Sequence, residues 1–208
     1  MNAPSLKDMG RGFSDPSRCS QAVFRQSLEA LCLPGQPQTL DLSLSNPSMH
    51  IPQQAHAAAA ALLLALLDQD CKVWLSAGFT GSDAAAWLRF HTGCSLVTDS
   101  GLADFVWVAH AHELPSFENL SQGTAQYPDQ SAICVVQVQD FATSPSDDAW
   151  TLTGPGIKGS KHLKLVGLSE NFVHMRRLSQ VHTPCGLDFF FTLSDTLIGL
   201  PRSTQVKD

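Results

Sequence analysis

Apolar positions along the chain fall into short blocks whose spacing switches repeatedly between helical and strand periods. The first block, about Ser17 to Leu31, sets Ala22, Val23, Leu28 and Leu31 on one helical side and stops at Pro34-Gly35. In the proline-bearing stretch that follows, Leu40, Leu42 and Leu44 alternate as a half-buried strand would. Gln53 to Leu67 is apolar nearly all round, which predicts a helix buried on most faces. Cys71–Ser76 reads as a short strand. Thr80-Gly81-Ser82-Asp83 then offers an N-cap and an acidic first turn to a helix reaching about Phe90.

The second half carries more strand signals. Ser95–Thr98 reads as a brief strand, Ala103–Ala109 and Ala132–Val138 as apolar strands, and Leu114–Leu120 as a helix or turn. A loop rich in Ser, Pro and Asp (Ala142–Asp148) leads to a strand at Trp150–Thr153 and the turn Gly154-Pro155-Gly156. A helix is expected near Ser169–Ser179. Gly186–Leu193 and Thr196–Leu200 read as a hairpin joined by Ser194-Asp195. Helices and strands interleave while the last two strands are adjacent, which predicts an α/β fold with a mixed sheet flanked by helices. Residues 1–16, poor in large apolar groups, read as a flexible N-terminal arm, and 17–208 as a single domain.

Composition narrows the function classes. The 208 residues are 43% hydrophobic and only 15% charged, so unusually little surface can be charged, which points toward a covered face in an oligomer or complex. The net charge is −6 and Lys and Arg form no run, so no phosphate-tracking surface for nucleic acid is expected. The apolar run Ala57–Leu67 is 11 residues, against ~20 for a membrane span. Six scattered cysteines without a CxxC, several in apolar segments, suit reduced thiols in the cytoplasm.

Candidate chemistry is sparse. Gly154 and Gly156, followed by Lys158, Lys161 and Lys164, would suit a phosphate-bearing ligand, but the spacing fits neither the Walker loop nor the dinucleotide fingerprint. The preferred reading is a tight turn beside solvated lysines. No lysine has the partners that pyridoxal phosphate needs, so no cofactor is expected. His110 and His112, two apart on an expected strand end, could share a metal, yet no third ligand is fixed and no metal is expected. Arg89 and His91 close a helix, where they suit its dipole. Arg89 would otherwise grip a phosphate or phosphonate. Arg202, with the hydroxyls of Ser203 and Thr204, offers a second such group near the end of the chain. No nucleophile elbow or HExxH occurs, and no catalytic residue can be named.

Several segments, in order, resemble the PhnH family of carbon–phosphorus lyase proteins. They are Phe24-Arg25 through Leu28 and Ala30 to Pro34-Gly35, Val73-Trp74-Leu75-Ser76, Leu88-Arg89-Phe90-His91-Thr92, Leu152-Thr153-Gly154-Pro155-Gly156-Ile157, and Gly186-Leu187-Asp188 through Gly199-Leu200-Pro201-Arg202-Ser203-Thr204. The family usually has threonine where Ser203 stands. The resemblance implies a fold like that of pyridoxal-phosphate transferases without the cofactor site, and a homodimer joined to PhnG, PhnI and PhnJ subunits. With an ATP-binding accessory, PhnL, that system makes ribose 1-methylphosphonate 5-triphosphate from ATP and methylphosphonate. The alternatives are an independent enzyme or binding protein for a phosphorylated metabolite, and a pure scaffold for the complex.

Overall fold

The computed structural model describes residues 10–44, 48–181 and 184–207. Helix α1 (Pro16–Cys32) begins where the Asp15 carboxylate accepts the Arg18 N–H and Pro16 sits in the first turn. Strand β1 (Gln38–Thr39) follows. The expected strand over Leu40–Leu44 is not formed: the pairing stops at Thr39, and Leu42–Leu44 winds into a single 3₁₀ turn. The Asp41 carboxylate accepts the Ser43 N–H and so holds the chain in a turn instead of a ladder.

Helix α2 (Ala57–Leu66) is buried on most faces, as its all-apolar surface requires. Its first turn has no side-chain cap, and Ala58 N–H donates instead to the Ser194 carbonyl. Then come β2 (Lys72–Leu75), α3 (Ala84–Thr92), β3 (Ser95–Leu96), β4 (Phe105–Val108), β5 (Ile133–Gln137) and β6 (Asp140–Ala142). Strands β7 (Trp150–Thr153) and β8 (Lys161–Val166), helix α4 (Phe172–Gln180), and strands β9 (Asp188–Leu193), β10 (Thr196–Leu200) and β11 (Gln205–Lys207) complete the chain. Of the expected N-terminal arm, residues 1–9 lie outside the described residues. Phe13 packs against the core and Pro16 is already helical.

Seven strands form one mixed sheet in the order β1-β10-β9-β5-β4-β2-β3. β3, β2, β4, β5 and β9 are parallel neighbours, while β9, β10 and β1 pair antiparallel, β9 and β10 as the expected hairpin. The parallel strands are apolar on both faces because both are covered. Phe105, Trp107, Val135 and Phe190 face α1, α2 and α3. Val106, Val108, Cys134, Val136, Phe189 and Phe191 face α4 and a second sheet, β11-β7-β8-β6, which is antiparallel throughout. Three layers result, helices, large sheet, and small sheet with α4.

The second sheet was not expected from the sequence, and β8 is its key member. Leu163 and Leu165 turn into the core between Lys161, His162 and Lys164, so two of the three lysines taken as solvated are strand residues. All six cysteines are free. Burial pushes the Cys71 thiol up to about 11, and Cys134, wholly buried, is pushed further in the same direction.

Candidate functional site

The sequence-predicted residues occupy two separate places. Gly154, Gly156, Arg202, Ser203 and Thr204 converge on one junction. Gly154 (φ 134°) has the Ser203 carbonyl 3.0 Å from where a Cβ would stand, and Gly156 (φ 79°) has the Cys32 carbonyl at 2.0 Å. A side chain at Gly156 would therefore overlap backbone, so this turn is seated on the end of α1 and on the tail. In the large sheet, Gly199 brings β10 against the Ala30 carbonyl, 2.4 Å from a would-be Cβ. Three of the resembling segments are thus places where backbones touch.

Two arginines lock this junction. Arg202 donates from Nε and Nη2 to the Asp188 carboxylate, from Nη1 to the Pro128 carbonyl and from Nη2 to the Ser131 hydroxyl; its main-chain N–H also reaches Asp188. Every nitrogen of its guanidinium is engaged inside the protein. Arg176, on α4, is buried over the Phe189 ring and donates to the Leu187 and Pro201 carbonyls. Burial pulls its guanidinium down to about 10, with Asp188 opposing that shift and Arg202 adding to it. The Thr204 side chain is fully buried, whereas Ser203 is exposed.

Arg89 and His91 are elsewhere, in the last turn of α3. Gly93 ends the helix with a left-handed residue, and Arg89 borders a cleft of about 450 Å³ with Gly93, Cys94, Ser95 and Leu96 along the free edge of β3. His91 turns away from that cleft. Its Nε2 lies 3.3 Å from the Gly10 carbonyl and its ring meets Trp87 edge-on. Burial lowers its pKa, the Gly10 carbonyl opposes this, and nearby His50 adds to the lowering. The carboxylate of Asp83, at the N-cap of α3, does not cap the helix. It binds the His50 ring and the Gln53 N–H, which together outweigh burial and hold it below its ordinary value. Strands β5, β4 and β2 separate the Arg89 cleft from the Arg202 junction in the sheet order.

Parallel sheets generally take ligands at the carboxyl ends of their strands. Here that edge carries Ser76 after β2, His110 after β4, Gln137 ending β5 and Thr192 in β9. The chain's own loop before α2 covers much of it. The buried Gln137 side chain donates to the Gln54 and Ala109 carbonyls and accepts the His56 N–H, and His56 Nδ1 sits 2.8 Å from the Thr192 carbonyl. Gln54 takes a left-handed φ of 67° to make this crossing. Sequence reasoning missed this network, whose one signal is a glutamine at the end of an apolar strand. Further along, Ser76 Oγ donates to Glu113, which also accepts the Gly78 N–H. Glu113 is thereby held below its ordinary value despite burial. His110 and His112 sit at a 3₁₀ turn rather than along a strand, with rings stacked 5.7 Å apart. Among the described residues no cluster of three metal-ligating side chains forms.

The carboxyl edge also bears on pyridoxal phosphate. Among the described residues no lysine stands there: Lys72 opens β2 at the opposite end, Lys158, Lys161, Lys164 and Lys207 belong to the small sheet and its turn, and the crossing loop fills the space. The residues present do not fit that cofactor.

The family described as bacterial phosphonate metabolism protein (PhnH) matches over residues 11–207. The chain is 29% identical over 195 residues to the alpha-D-ribose 1-methylphosphonate 5-triphosphate synthase subunit PhnH of Rhizobium meliloti (strain 1021), covering 94% of each chain. It is 26% identical over 188 residues to the putative C-P lyase subunit protein HtxG of Stutzerimonas stutzeri, covering 90% of this chain and 85% of the relative. The match spans the glycine turn, the tail and both arginine-bearing places alike, and the chain belongs to the bacterial phosphonate metabolism protein (PhnH) family.

Proposed function

We propose that this chain is a subunit of a carbon–phosphorus lyase core complex, required for forming ribose 1-methylphosphonate 5-triphosphate from ATP and methylphosphonate. The observation that carries the reading is the end-to-end match to a relative named as a subunit of the synthase for that product. Within that reading the chain is a cytoplasmic homodimer that joins PhnG, PhnI and PhnJ subunits and supplies structure rather than the reacting groups. The closed carboxyl edge supports this, because loop and sheet side chains are bonded to one another where a substrate would enter. Exposed apolar side chains support a covered surface: Phe24 and Leu28, one turn apart on α1, are 44% and 46% exposed, and Val181 beyond α4 is 77% exposed. No described helix is long and apolar enough to cross a membrane. The fold is read as a relative of pyridoxal-phosphate transferases without the cofactor site.

Co-expression of tagged chain with PhnG, PhnI and PhnJ tests the reading. The chain is expected to co-purify with them at fixed stoichiometry and, when purified alone, to run as a dimer without turning over ATP or methylphosphonate. A monomer that ignores all three subunits would overturn it, and turnover by the isolated chain would return the independent-enzyme reading to first place.

A further inference from the structure

The lysines of β8 have different surroundings. Lys164 pairs with Asp148 at the surface. Lys161 belongs to the inward-facing row Lys161, Leu163, Leu165, so its stem enters the space between the small sheet and the end of α1. It is half-buried, and its Nζ reaches only the neutral Gln36 Oε1, at 3.3 Å. Among the described residues no carboxylate forms an ion pair with it. An ammonium partly withdrawn from water without a counter-charge is unfavourable, and an anion drawn into its surroundings relieves the cost.

A cavity of about 330 Å³ lies at this lysine. Gly35, Gln36 and Pro37 form one wall, and Thr143, Ser160 and His162 complete the lining, although strand alternation turns the His162 ring to the other face of β8 from Lys161. Gly35 makes the arrangement possible: at φ 71°, with Leu152 2.5 Å from a would-be Cβ, it lets the chain after α1 lie flat on β7 and bring Gln36 to Lys161. The lining residues thus include a fixed cation, an amide and two hydroxyl-bearing side chains, and no carboxylate. A tetrahedral oxyanion suits such a set, because several donors approach it from different directions around one positive charge.

We propose that this cavity, at Lys161 and His162 between α1 and β8, binds a phosphate or phosphonate group. The site is distinct from the Arg89 cleft and the Arg202 junction, and its occupation does not depend on assembly with other subunits.

The test uses the isolated full-length chain, with inorganic phosphate, methylphosphonate and ATP as separate titrants and acetate as the control, all at constant ionic strength. The readout is the histidine ring signals by NMR, with affinity by calorimetry. The His162 signals are expected to move saturably, at about 1 mM ligand, while those of His174, exposed on α4, stay put. Whichever phosphorus compound acts at the lowest concentration identifies the source of the group. Lys161→Gln should weaken binding about tenfold and Lys161→Arg should restore most of it, whereas Lys164→Gln should change it less than about twofold. The His162 reading needs no variant, so a misfolded Lys161→Gln leaves the test intact. An unmoved His162 with all three phosphorus compounds overturns the proposal. So does an equal response to acetate, which would mark the cavity as a seat for a partner's carboxylate.

Discussion

Replacing Arg202 with methionine removes a guanidinium whose nitrogens all bond within the fold, and it leaves Asp188 behind. The two side chains of that pair are 23% and 19% exposed, so the carboxylate left alone is largely withdrawn from water. It keeps one bond, from the main-chain N–H of residue 202, while the Pro128 carbonyl and the Ser131 hydroxyl each lose a donor. Breaking a buried pair from one side costs roughly 3–5 kcal/mol; partial exposure puts this case near 3 kcal/mol. For a chain of this size that is about 6–12 °C in melting temperature. Circular dichroism melts and urea titrations of Arg202→Met measure it, and Arg202→Met/Asp188→Leu should recover part of the loss, because the stranded charge is then gone. A melting temperature within about 2 °C of the parent would refute the reasoning and mark Arg202 as a group free to meet a ligand.

Other consequences are as direct. Gly199→Ala should destabilise by about 1–3 kcal/mol in urea unfolding, since its Cβ would press on the Ala30 carbonyl across the α1–β10 contact. Gly156→Ala, with a Cβ driven onto the Cys32 carbonyl at a left-handed φ, should cost more still and reduce soluble yield. Burial lowers the pKa of His56 and of His91 below the ordinary 6.5, in each case against a carbonyl contact that raises it. The unfolded chain therefore binds more protons than the folded one in that range, so stability is full above about pH 6.5 and declines as pH falls through the folded values. Melting temperature against pH should show this decline, and His56→Gln should flatten part of it.

The main sheet is legible in the sequence because its parallel strands are buried on both faces and so read as unbroken apolar runs at Phe105–Val108 and Ile133–Val136. The small sheet is harder to see. Lys161 and Lys164 look like solvent-facing charge after a glycine turn, although Leu163 and Leu165 between them already carry a strand's alternation. β11, with Val206 its one buried residue, is too short to leave a pattern. At Leu40–Leu44 alternation alone misled, because a local Asp41 turn competes with the ladder. For the candidate site, the sequence marks Gly154, Gly156 and Arg202 as a distinctive set but not their meeting with Cys32, Ser203 and Asp188. Those contacts join residues far apart along the chain, and no local spacing encodes them.

The central claim, that the chain is needed as a subunit, is tested most directly by phosphorus NMR of a reconstituted reaction. PhnG, PhnI, PhnJ and the ATP-binding accessory PhnL are supplied with ATP and methylphosphonate, with and without this chain. The account predicts the signals of ribose 1-methylphosphonate 5-triphosphate when the chain is present and their loss when it is withheld. An undiminished product signal in its absence would contradict the account.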